Sequence, residues 1–353
     1  MDADVPQRLR VCDRVVKGKT PAFRAVILAG GSGERFWPLS TPERPKQFLR
    51  VFGGASLIRQ AVSRLDGLVS SKDVFVVTAK NLVAATRREL PEIPKCNILG
   101  EPMRRDTGAA VALGVGLAAG GADPVIGFFS SDQMVSNPKA FRKVVSKAVA
   151  IARRKQVIVT LGIKPTYHAT CFGYISPKTR TFVEKPDAKT AKKYVKAGYL
   201  WNAGMFIARA STFRGAFAAH APELERLTRL ATDGTCGTGA TGGIAKLYSA
   251  LPKISFDYAV MEKSKNVEVV PGDFGWDDVG SFAAFDKYFP HDSRGNVREG
   301  PCTVVEADGN ICVARSARIS LLGVKNLVVV TTPDSVLVAD KSRLTDMKKL
   351  FKR

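Results

Sequence analysis

Residues 25–35 read Ala25-Val26-Ile27-Leu28-Ala29-Gly30-Gly31-Ser32-Gly33-Glu34-Arg35, and Lys46 follows a short distance along the chain. Apolar residues lead directly into a loop rich in glycine, and two spaced cations follow, Arg35 and Lys46. Glycine has no Cβ, so its backbone N–H group can approach phosphate oxygens, and cations stabilise the charge of a triphosphate. The stretch therefore predicts a strand that ends in a phosphate-binding loop. A purely structural strand-to-helix turn remains the alternative for the glycines taken alone.

Two better-known phosphate loops do not fit this chain. Lys17-Gly18-Lys19-Thr20 ends like a Walker loop, but Asp13 stands where that loop needs its first glycine. The glycines of residues 30–33 do not match the dinucleotide-binding fingerprint either, because its third glycine would fall on Phe36. Neither of these nucleotide sites is therefore expected.

The whole chain has the composition of a globular protein with a strongly basic surface. It has 353 residues, of which 45% are hydrophobic, enough for one large domain and a smaller one. Lysine and arginine number 54 against 32 acidic residues, and the formal net charge of +22 favours polyanionic ligands. These cations are spread along the chain and accompany no nucleic-acid-binding motif. An anionic small-molecule site is therefore expected rather than a specific nucleic-acid partner.

The cysteines indicate reduced thiols and no zinc site. All six are scattered without a C-x-x-C pair, and only three histidines are present, so any metal is expected to be a hard cation held by carboxylates. The N-terminus lacks the apolar core of a secretory signal. The apolar run 108–122 is short for a membrane span and predicts a buried helix. A cytoplasmic protein without a membrane partner is expected.

Apolar, β-branched runs alternate with segments of helical periodicity, which is typical of a parallel α/β sheet. The predicted strands are Ala25–Leu28, Val74–Thr78, Val125–Ser130 and Val157–Gly162. The predicted helices between them are Ser56–Leu65 and Pro138–Arg153. Ligands bind beyond the carboxyl ends of such strands, so the loops that begin at Ala29 and Ser130 are expected at one edge of the sheet.

The second half of the chain changes character twice. Residues 231–243 are rich in glycine and threonine and predict a mobile surface loop, either a lid or a connector. From about Asp292 short strands alternate with turns and predict a small β domain. Its predicted strands are Cys302–Glu306, Ile311–Ala314, Leu327–Thr331 and Ser335–Ala339. The predicted organisation is an N-terminal extension at residues 1–22, a large domain at 23–290 and a β domain at 291–353.

Two places in the sequence offer carboxylates for a metal. Asp132 follows the apolar run of residues 125–131, and Asp277 and Asp278 lie in a turn that also contains Trp276 and Gly280. Mg²⁺ on a triphosphate typically takes one or two protein carboxylates, with phosphate and water as its other ligands. Asp132 with either of the other two would suffice. Capping of a turn or helix is the alternative for each carboxylate taken alone.

Three short motifs in the middle of the chain could bind a sugar phosphate. The motif Phe182-Val183-Glu184-Lys185-Pro186 sets a carboxylate beside an ammonium group, although the end of a surface strand would also explain it. The motif Trp201-Asn202-Ala203-Gly204-Met205-Phe206 combines an aromatic ring, a small turn and an amide, and an ordinary packed turn is its alternative. The motif Phe172-Gly173-Tyr174-Ile175 could present backbone groups to hydroxyls or form a core strand.

Taken in order, these motifs resemble those of the sugar-1-phosphate nucleotidyltransferases. The motif at 201–206, together with Asp257-Tyr258-Ala259-Val260-Met261-Glu262-Lys263, resembles more narrowly the mannose-1-phosphate guanylyltransferases, also called GDP-mannose pyrophosphorylases. The likeness covers about residues 23 to 285 and continues loosely to the end. It implies a Rossmann-like nucleotidyltransferase domain with a mixed, mostly parallel sheet, followed by a small β domain that is left-handed and β-helix-like. The long relatives carry an isomerase barrel for which no room is left before Arg353, so guanylyl transfer alone is expected.

The resemblance also implies a reaction and the residues that perform it. GMP would pass from GTP to α-D-mannose 1-phosphate, giving GDP-mannose and pyrophosphate, with Mg²⁺ as cofactor in a homodimer. The implied catalytic residues are Arg35, Lys46 and Lys185, and the implied magnesium ligands are Asp132 and Asp278. The implied nucleotide-binding residues are Leu28, Ala29, Gly30, Gly31, Ser32, Gly33, Glu101 and Asp132. The implied sugar-phosphate-binding residues are Gly173, Glu184, Lys185, Asn202 and Asp257.

Three departures from the family pattern leave details open. The segment 106–109 reads Asp-Thr-Gly-Ala where the family usually has Asn-Thr-Ala-Pro, which affects the contacts expected to the base. Asp132 keeps the usual carboxylate but not its usual neighbours, and Asp277 stands where serine or threonine is common. The choice between Asp277 and Asp278 rests on alignment to Gly280. Another sugar 1-phosphate such as glucose or a heptose, another nucleotide, or a catalytically silent nucleotide-sugar sensor remain alternatives.

Overall fold

The computed structural model describes residues 22–31, 33–232 and 241–351, and these divide into two compact units. The first unit takes in the residues up to Gly30, Ala61–Ser131 and Val135–Trp276. The second takes in Gly31–Gln60, Asp132–Met134 and the residues from Asp277 onward. Ser32 and nearly all of the predicted N-terminal extension lie outside the described residues. The predicted domain boundaries after residues 22 and 290 stay predictions.

A mixed nine-stranded sheet forms the first unit, as expected for a nucleotidyltransferase domain. The strands up to residue 277 are β1 (Phe23–Ala29), β2 (Val74–Ala79), β3 (Ile98–Glu101), β4 (Val125–Ser130), β5 (Met134–Val135), β6 (Ile158–Ile163), β7 (Tyr174–Ile175), β8 (Phe182–Val183), β9 (Leu200–Arg209), β10 (Val267–Gly272) and β11 (Trp276–Asp277). The order in the sheet is β10-β6-β9-β4-β1-β2-β3, and β7 pairs with β8 and β9. Strands β1 to β4 are parallel, and Leu28 is in register with Ser130. The loops after β1 and β4 therefore begin at one edge of the sheet, as predicted.

Strand β9 corrects the interpretation of residues 201–206 as a turn. These residues lie inside a ten-residue strand that pairs antiparallel with β4 on one side and β6 on the other. The turn-like composition instead marks a β-bulge, because the pairing with β6 shifts between Thr160 and Gly162 and Gly204 has a φ of +67°. Hydrogen bonding on both sides of the strand outweighs the local turn signal.

The helices are α1 (Leu57–Ser63), α2 (Val83–Glu89), α3 (Asp106–Ala119), α4 (Pro138–Arg154), α5 (Ala188–Lys196), α6 (Ala210–His220), α7 (Pro222–Thr232), α8 (Thr241–Ala250) and α9 (Ala283–Tyr288). Helix α3 is almost wholly buried, as predicted, and a Cβ at Gly116 would lie 2.5 Å from the Cβ of Ala231. Helices α7 and α8 include both ends of the predicted loop at 231–243, so that prediction was wrong there, while 233–240 lie outside the described residues. In the described ranges, no helix has the length and apolar character to cross a membrane.

Short, mostly parallel strands form the C-terminal part of the second unit. They are β12 (Val297–Glu299), β13 (Cys302–Val305), β14 (Ile311–Ala314), β15 (Ile319–Leu322), β16 (Leu327–Thr332) and β17 (Ser335–Asp340). Strands β12, β14 and β16 stack in parallel, and β13 stacks on β15, which confirms the predicted β-helix-like domain. Buried asparagines join successive coils: the Asn310 N–H donates to Asn296 Oδ1 at 2.9 Å, and Asn310 Oδ1 accepts from the Leu327 N–H at 2.9 Å. A 3₁₀-helical segment, Lys341–Phe351, follows.

Candidate active site

The glycine-rich loop after β1 needs glycine at Gly33 for two physical reasons. Its φ of +66° is a conformation that residues with side chains rarely adopt, and a Cβ there would lie 2.5 Å from the Cβ of Lys46. Leu28 and Ala29 form the end of β1, and Gly30, which follows them, also belongs to the first unit. The loop therefore brings the backbone of Gly33 directly against Lys46.

A cavity of about 210 Å³ in the second unit gathers most of the predicted phosphate- and metal-binding residues. Its walls include the predicted residues Gly31, Gly33, Arg35, Lys46, Asp132 and Asp278. They also include Lys348, a lysine of the C-terminal 3₁₀ segment that sequence reasoning missed, because no local motif surrounds it. The cavity combines cations for phosphate with carboxylates for a metal, and we call it the phosphate cavity.

Lys46 is the central cation of the phosphate cavity. It begins a short 3₁₀ turn, Lys46–Phe48, and only 6% of its surface is exposed. Its Nζ donates to Asp132 Oδ2 at 3.0 Å and to the carbonyl oxygen of Asp278 at 2.8 Å. A buried ammonium group requires such partners, since an unpaired charge in the interior is strongly unfavourable. Lys46 therefore joins two segments that are far apart in the sequence.

Asp278 and Asp277 have different surroundings in the turn after residue 275. Asp278 lines the phosphate cavity, and a Cβ at Gly280 would lie 3.3 Å from its Oδ2 and 3.2 Å from Arg35 Nη1. Burial raises the pKa of Asp278, and the charge of Asp132 adds to the rise, although Lys46 and Arg35 oppose it. Asp277 instead accepts from the Val279 N–H at 2.7 Å and from Lys287 Nζ at 2.5 Å. Asp278 is therefore the carboxylate that faces the cavity.

The carboxylates of the phosphate cavity could hold a metal only together with a bound phosphate ligand that supplies further oxygen atoms. Asp132 and Asp278 lie close enough for the charge of one to raise the pKa of the other. Among the residues that the structure describes, no group of three or more histidines, cysteines and carboxylates is clustered for a metal. Two carboxylates suit Mg²⁺, which usually fills its octahedron with phosphate oxygens and water.

The first unit contains a second pocket, of about 520 Å³, around Glu101. Gly30 and Arg104 also line it, and a Cβ at Gly30 would lie 3.3 Å from Glu101 Oε2. The buried Tyr248 donates from its hydroxyl to Glu101 Oε1 at 3.1 Å, and Arg105 Nε donates to the Tyr248 carbonyl at 2.8 Å. Burial raises the pKa of Glu101 to about 7. Sequence reasoning missed Tyr248, since it lies 147 residues from its partner.

The segment 106–109, which departs from the family pattern, is held by hydrogen bonds at the start of α3. Asp106 has a φ of +65°, and its Oδ1 accepts from the Thr107 N–H at 2.7 Å. Thr107 Oγ1 accepts from the Phe256 N–H at 2.9 Å. A Cβ at Gly108 would lie 2.7 Å from the carbonyl oxygen of Ile254. Glycine therefore allows helix α3 to start close to this backbone.

The predicted sugar-phosphate residues also lie in the first unit and contact one another. Lys185 Nζ lies 3.0 Å from Glu184 Oε1, and a Cβ at Gly173 would lie 2.5 Å from Glu184 Oε2. Asn202 Nδ2 donates to Asp257 Oδ1 at 2.9 Å, and the Asn202 N–H donates to the Gly173 carbonyl at 2.8 Å. We call these five residues the carboxylate–lysine cluster.

Charge and burial within the carboxylate–lysine cluster shift two pKa values. Burial lowers the pKa of Lys185, but the hydrogen bond and charge of Glu184 outweigh it, so the pKa is raised overall. Burial, with the charge of Glu184, raises the pKa of Asp257. Lys185 has a φ of +45°, an uncommon conformation for a lysine that functional sites often hold. The cluster therefore keeps its ammonium group charged and lets one carboxyl hold a proton more readily than usual.

Two further residues contact the cluster, and sequence reasoning assigned neither of them to the site. The Thr160 hydroxyl lies 2.7 Å from Asn202 Oδ1, and the Gly204 N–H donates to the same oxygen at 3.1 Å. Glu262 Oε1 accepts from the Glu184 N–H at 2.8 Å. Thr160 fixes which way the Asn202 amide points, because its hydroxyl can donate to the amide oxygen and leave the amide nitrogen for Asp257.

Comparison of this chain with known proteins identifies its family. A family model described as nucleotidyl transferase matches residues 24–294, and one described as a MannoseP isomerase/GMP-like beta-helix domain matches residues 300–353. Mannose-1-phosphate guanylyltransferase RfbM of Salmonella typhimurium is 36% identical over 345 residues, which cover 93% of this chain and 72% of the relative. The chain belongs to the mannose-1-phosphate guanylyltransferase family.

Other members of the mannose-1-phosphate guanylyltransferase family agree with this placement. The mannose-1-phosphate guanylyltransferase of Escherichia coli K12 is 34% identical over 349 residues, which cover 93% of this chain and 72% of the relative. A crystal structure from Thermus thermophilus, described as a mannose-1-phosphate geranyltransferase, superimposes with a TM-score of 0.84 and 34% identity. The superposition covers 94% of this chain and 98% of the Thermus thermophilus chain. The protein is therefore an enzyme of the nucleotidyltransferase class.

Proposed function

We propose that this protein transfers GMP from GTP to α-D-mannose 1-phosphate and releases pyrophosphate, with GDP-mannose as the other product. The observation that carries the proposal is the phosphate cavity, in which Lys46 contacts both Asp132 and the backbone of Asp278. A site for acyl transfer through a covalent intermediate would need a nucleophile with an adjacent base. This cavity instead offers cations and carboxylates, which suit phosphoryl chemistry.

The reaction needs no nucleophile from the protein. An oxygen of the sugar phosphate attacks the α-phosphorus of GTP in line, the new P–O bond forms, and the bond to the β-phosphate breaks so that pyrophosphate leaves with its electron pair. Both reactants are anions, so the protein must hold them together against their repulsion. Lys46 and Arg35 would stabilise the nucleotide phosphates, and Lys185 would hold the sugar phosphate. The raised pKa of Lys185 supports this role, because it keeps the ammonium group charged.

Mg²⁺ is the metal that we propose for Asp132 and Asp278. When bound, it would neutralise negative charge on the nucleotide phosphates. Two carboxylates support this role: burial raises the pKa of Asp278 and the negative charge of Asp132 adds to the rise, so a cation close to both is favoured. Lys46 contributes to the same balance through its ion pair with Asp132.

Guanine selection is proposed for the pocket around Glu101. A purine base with N–H groups at N1 and N2 presents two donors side by side, and an ionised carboxylate accepts both. Adenine has no such pair of donors, so it would leave the buried carboxylate without its partners on the base, which costs about 1–3 kcal/mol. Tyr248 supports this role, since its hydroxyl donates a hydrogen bond to Glu101 Oε1 and so holds the carboxylate in one orientation.

A steady-state assay of pyrophosphate release tests the proposal. GTP, ATP and UTP are each offered with mannose 1-phosphate and with glucose 1-phosphate, in the presence and absence of Mg²⁺. Preference for GTP with mannose 1-phosphate, dependent on Mg²⁺, is the expected result. Preference for another pair would keep the chemistry and change the substrate. No release from any pair by the folded protein would favour a silent nucleotide-sugar sensor.

Two further properties remain part of the proposal. A homodimer is supported by exposed apolar side chains on the β domain, of which Leu322 is 72%, Val336 63% and Val338 62% exposed. Light scattering on the purified protein tests it. A cytoplasmic location is supported by Cys96, Cys302 and Cys312, which form no disulfide within the described residues.

A further inference from the structure

The C-terminal 3₁₀ segment, Lys341–Phe351, contributes one wall of the phosphate cavity. Lys348 lines this cavity together with Arg35, Lys46, Asp132 and Asp278, all of which belong to the second unit. None of the short motifs quoted from the sequence includes this lysine. Its position therefore depends on how the segment packs within the unit.

Apolar contacts fix the segment that carries Lys348. Leu344 is 4% exposed and Met347 is 3% exposed, and both belong to the hydrophobic cluster that contains Phe36. The ring of Phe351 contacts the ring of Trp37 edge-on, with centroids 5.9 Å apart. Phe36 and Trp37 directly follow Arg35, so the same contacts that bury the segment bring it to the phosphate loop.

Lys348 differs from its neighbour Lys349 in its charge partners. Lys349 Nζ lies 3.1 Å from Asp346 Oδ2, and Arg343 Nη2 lies 2.7 Å from the same oxygen. Asp346 is thus shared by two cations already. Within the described part of the chain, Lys348 forms no ion pair, and its side chain is exposed at the cavity. An ammonium group without a protein partner at such a wall is free to bind an anionic ligand.

We propose that Lys348 is a third phosphate-binding cation of the active site and binds the terminal phosphates of the nucleotide, which leave as pyrophosphate. The proposal rests on the proposed function for the identity of the nucleotide. Three carboxylates, those of Glu34, Asp132 and Asp278, line the cavity with Arg35 and Lys46, so these two cations do not balance the negative charge and a further cation favours the binding of a triphosphate. Lys348 supplies that charge from the β domain, and the C-terminal segment is thereby part of the catalytic machinery.

The test compares Lys348→Met, Lys348→Arg and the matched control Lys349→Met in the full-length protein. Lys349 is adjacent in sequence, carries the same charge and does not line the cavity, so its variant reports the effect of net charge together with the loss of an exposed ion pair to Asp346. We measure kcat and KM for GTP, and pyrophosphate binding by calorimetry at low and high salt. Lys348→Met is expected to lower kcat/KM for GTP and pyrophosphate affinity roughly tenfold at low salt, and less at high salt, because an exposed cation is screened.

The result that overturns the proposal is equal behaviour of Lys348→Met and Lys349→Met in both assays. Lys348→Arg is expected to restore pyrophosphate affinity, and its failure to do so in a protein with an unchanged unfolding temperature would also count against a charge role. The binding assay separates this inference from the reaction itself. If the wild type binds pyrophosphate through Lys348 but transfers no GMP, the proposed function fails and Lys348 keeps its role.

Discussion

The ammonium group of Lys46 lies 3.0 Å from Asp132 Oδ2 and 2.8 Å from the carbonyl oxygen of Asp278. One buried cation thus contacts both segments that carry the proposed metal ligands. Removing it leaves the Asp132 carboxylate beside Asp278 with less compensation for their repulsion. The same residue that would stabilise the nucleotide phosphates therefore also holds the cavity together.

Lys46→Ala is expected to lower kcat by about 10²–10³, the usual effect of removing one electrostatic stabiliser of a developing charge. Pyrophosphate release at saturating GTP and mannose 1-phosphate measures it, with thermal unfolding as the check on folding. Lys325→Ala is a suitable control, because Lys325 pairs with Asp308 on the β domain and lines neither the phosphate cavity nor the pocket around Glu101. Near-normal turnover by Lys46→Ala would contradict the role.

Asp278→Asn and Asp277→Asn are expected to differ. Asp278 faces the phosphate cavity, so its variant should lower activity by about 10²-fold or more and raise the Mg²⁺ concentration needed for half-maximal rate. Asp277 pairs with Lys287 and the Val279 N–H, so its variant should act mainly on stability. A magnesium titration of both variants decides which aspartate is the metal ligand. A larger increase in the Mg²⁺ concentration for half-maximal rate in Asp277→Asn than in Asp278→Asn would reverse the assignment.

Acidification through pH 7 is expected to weaken GTP binding. Burial raises the pKa of Glu101 from 4.5 to about 7, so below that pH the carboxyl is protonated and loses an acceptor for the N–H groups of guanine. KM for GTP should therefore rise as the pH falls below 7, and Glu101→Gln should show a flatter profile. Tyr248→Phe should raise KM for GTP with little change in KM for mannose 1-phosphate.

The same raised pKa predicts the pH dependence of stability. The native state favours the protonated Glu101 carboxyl, so this group contributes stability below pH 4.5 that is lost as the pH rises through about 7. The free energy of unfolding of Glu101→Gln, relative to the wild type, should therefore increase across this range. Denaturant unfolding at several pH values measures it, and a constant difference would contradict a buried, ionising Glu101.

Thr160→Val is expected to act on the sugar phosphate. The variant keeps the shape of the buried side chain but removes the hydroxyl that contacts Asn202 Oδ1 and leaves the Gly204 N–H to hold that oxygen, so the amide is held toward Asp257 less firmly. KM for mannose 1-phosphate should rise roughly tenfold, with KM for GTP unchanged. Parallel changes in both KM values would indicate a general loss of structure instead.

Asn310→Ala is expected to destabilise the β domain by roughly 2–3 kcal/mol. Its fully buried side chain serves the Leu327 N–H and Asn296 Oδ1, and the truncation leaves both buried groups without these partners. Denaturant unfolding measures the loss. Asn326→Ala, which replaces a residue with a φ of +54° in the same domain, provides a comparison in which backbone conformation is altered. A negligible effect of Asn310→Ala would contradict the role of the buried asparagines.

Local pattern and chemistry were enough to predict β1 with its glycine loop, the parallel arrangement of β1, β2 and β4, and most strands of the β domain, whereas β3 was not predicted. In these places the residue types themselves predict the structure, through the alternation of apolar residues, through β-branching, or through the absence of a Cβ in glycine. The motifs at Lys46, Asp132 and Asp278 also contributed to the resemblance to the family, because binding of phosphates and a metal requires cations and carboxylates.

Tertiary structure decided what depends on partners distant in the chain. Residues 201–206 became a bulged strand because β4 and β6 pair with it on both sides, and no local signal records such neighbours. Tyr248 reaches Glu101, and Lys348 reaches the wall that Lys46 also lines, only after distant segments have packed. The raised pKa of Glu101 and the position of the Lys348 ammonium group at the cavity wall both result from that packing. Sequence therefore determined which chemistry the chain can perform, and the folded contacts decided which side chains take part in it.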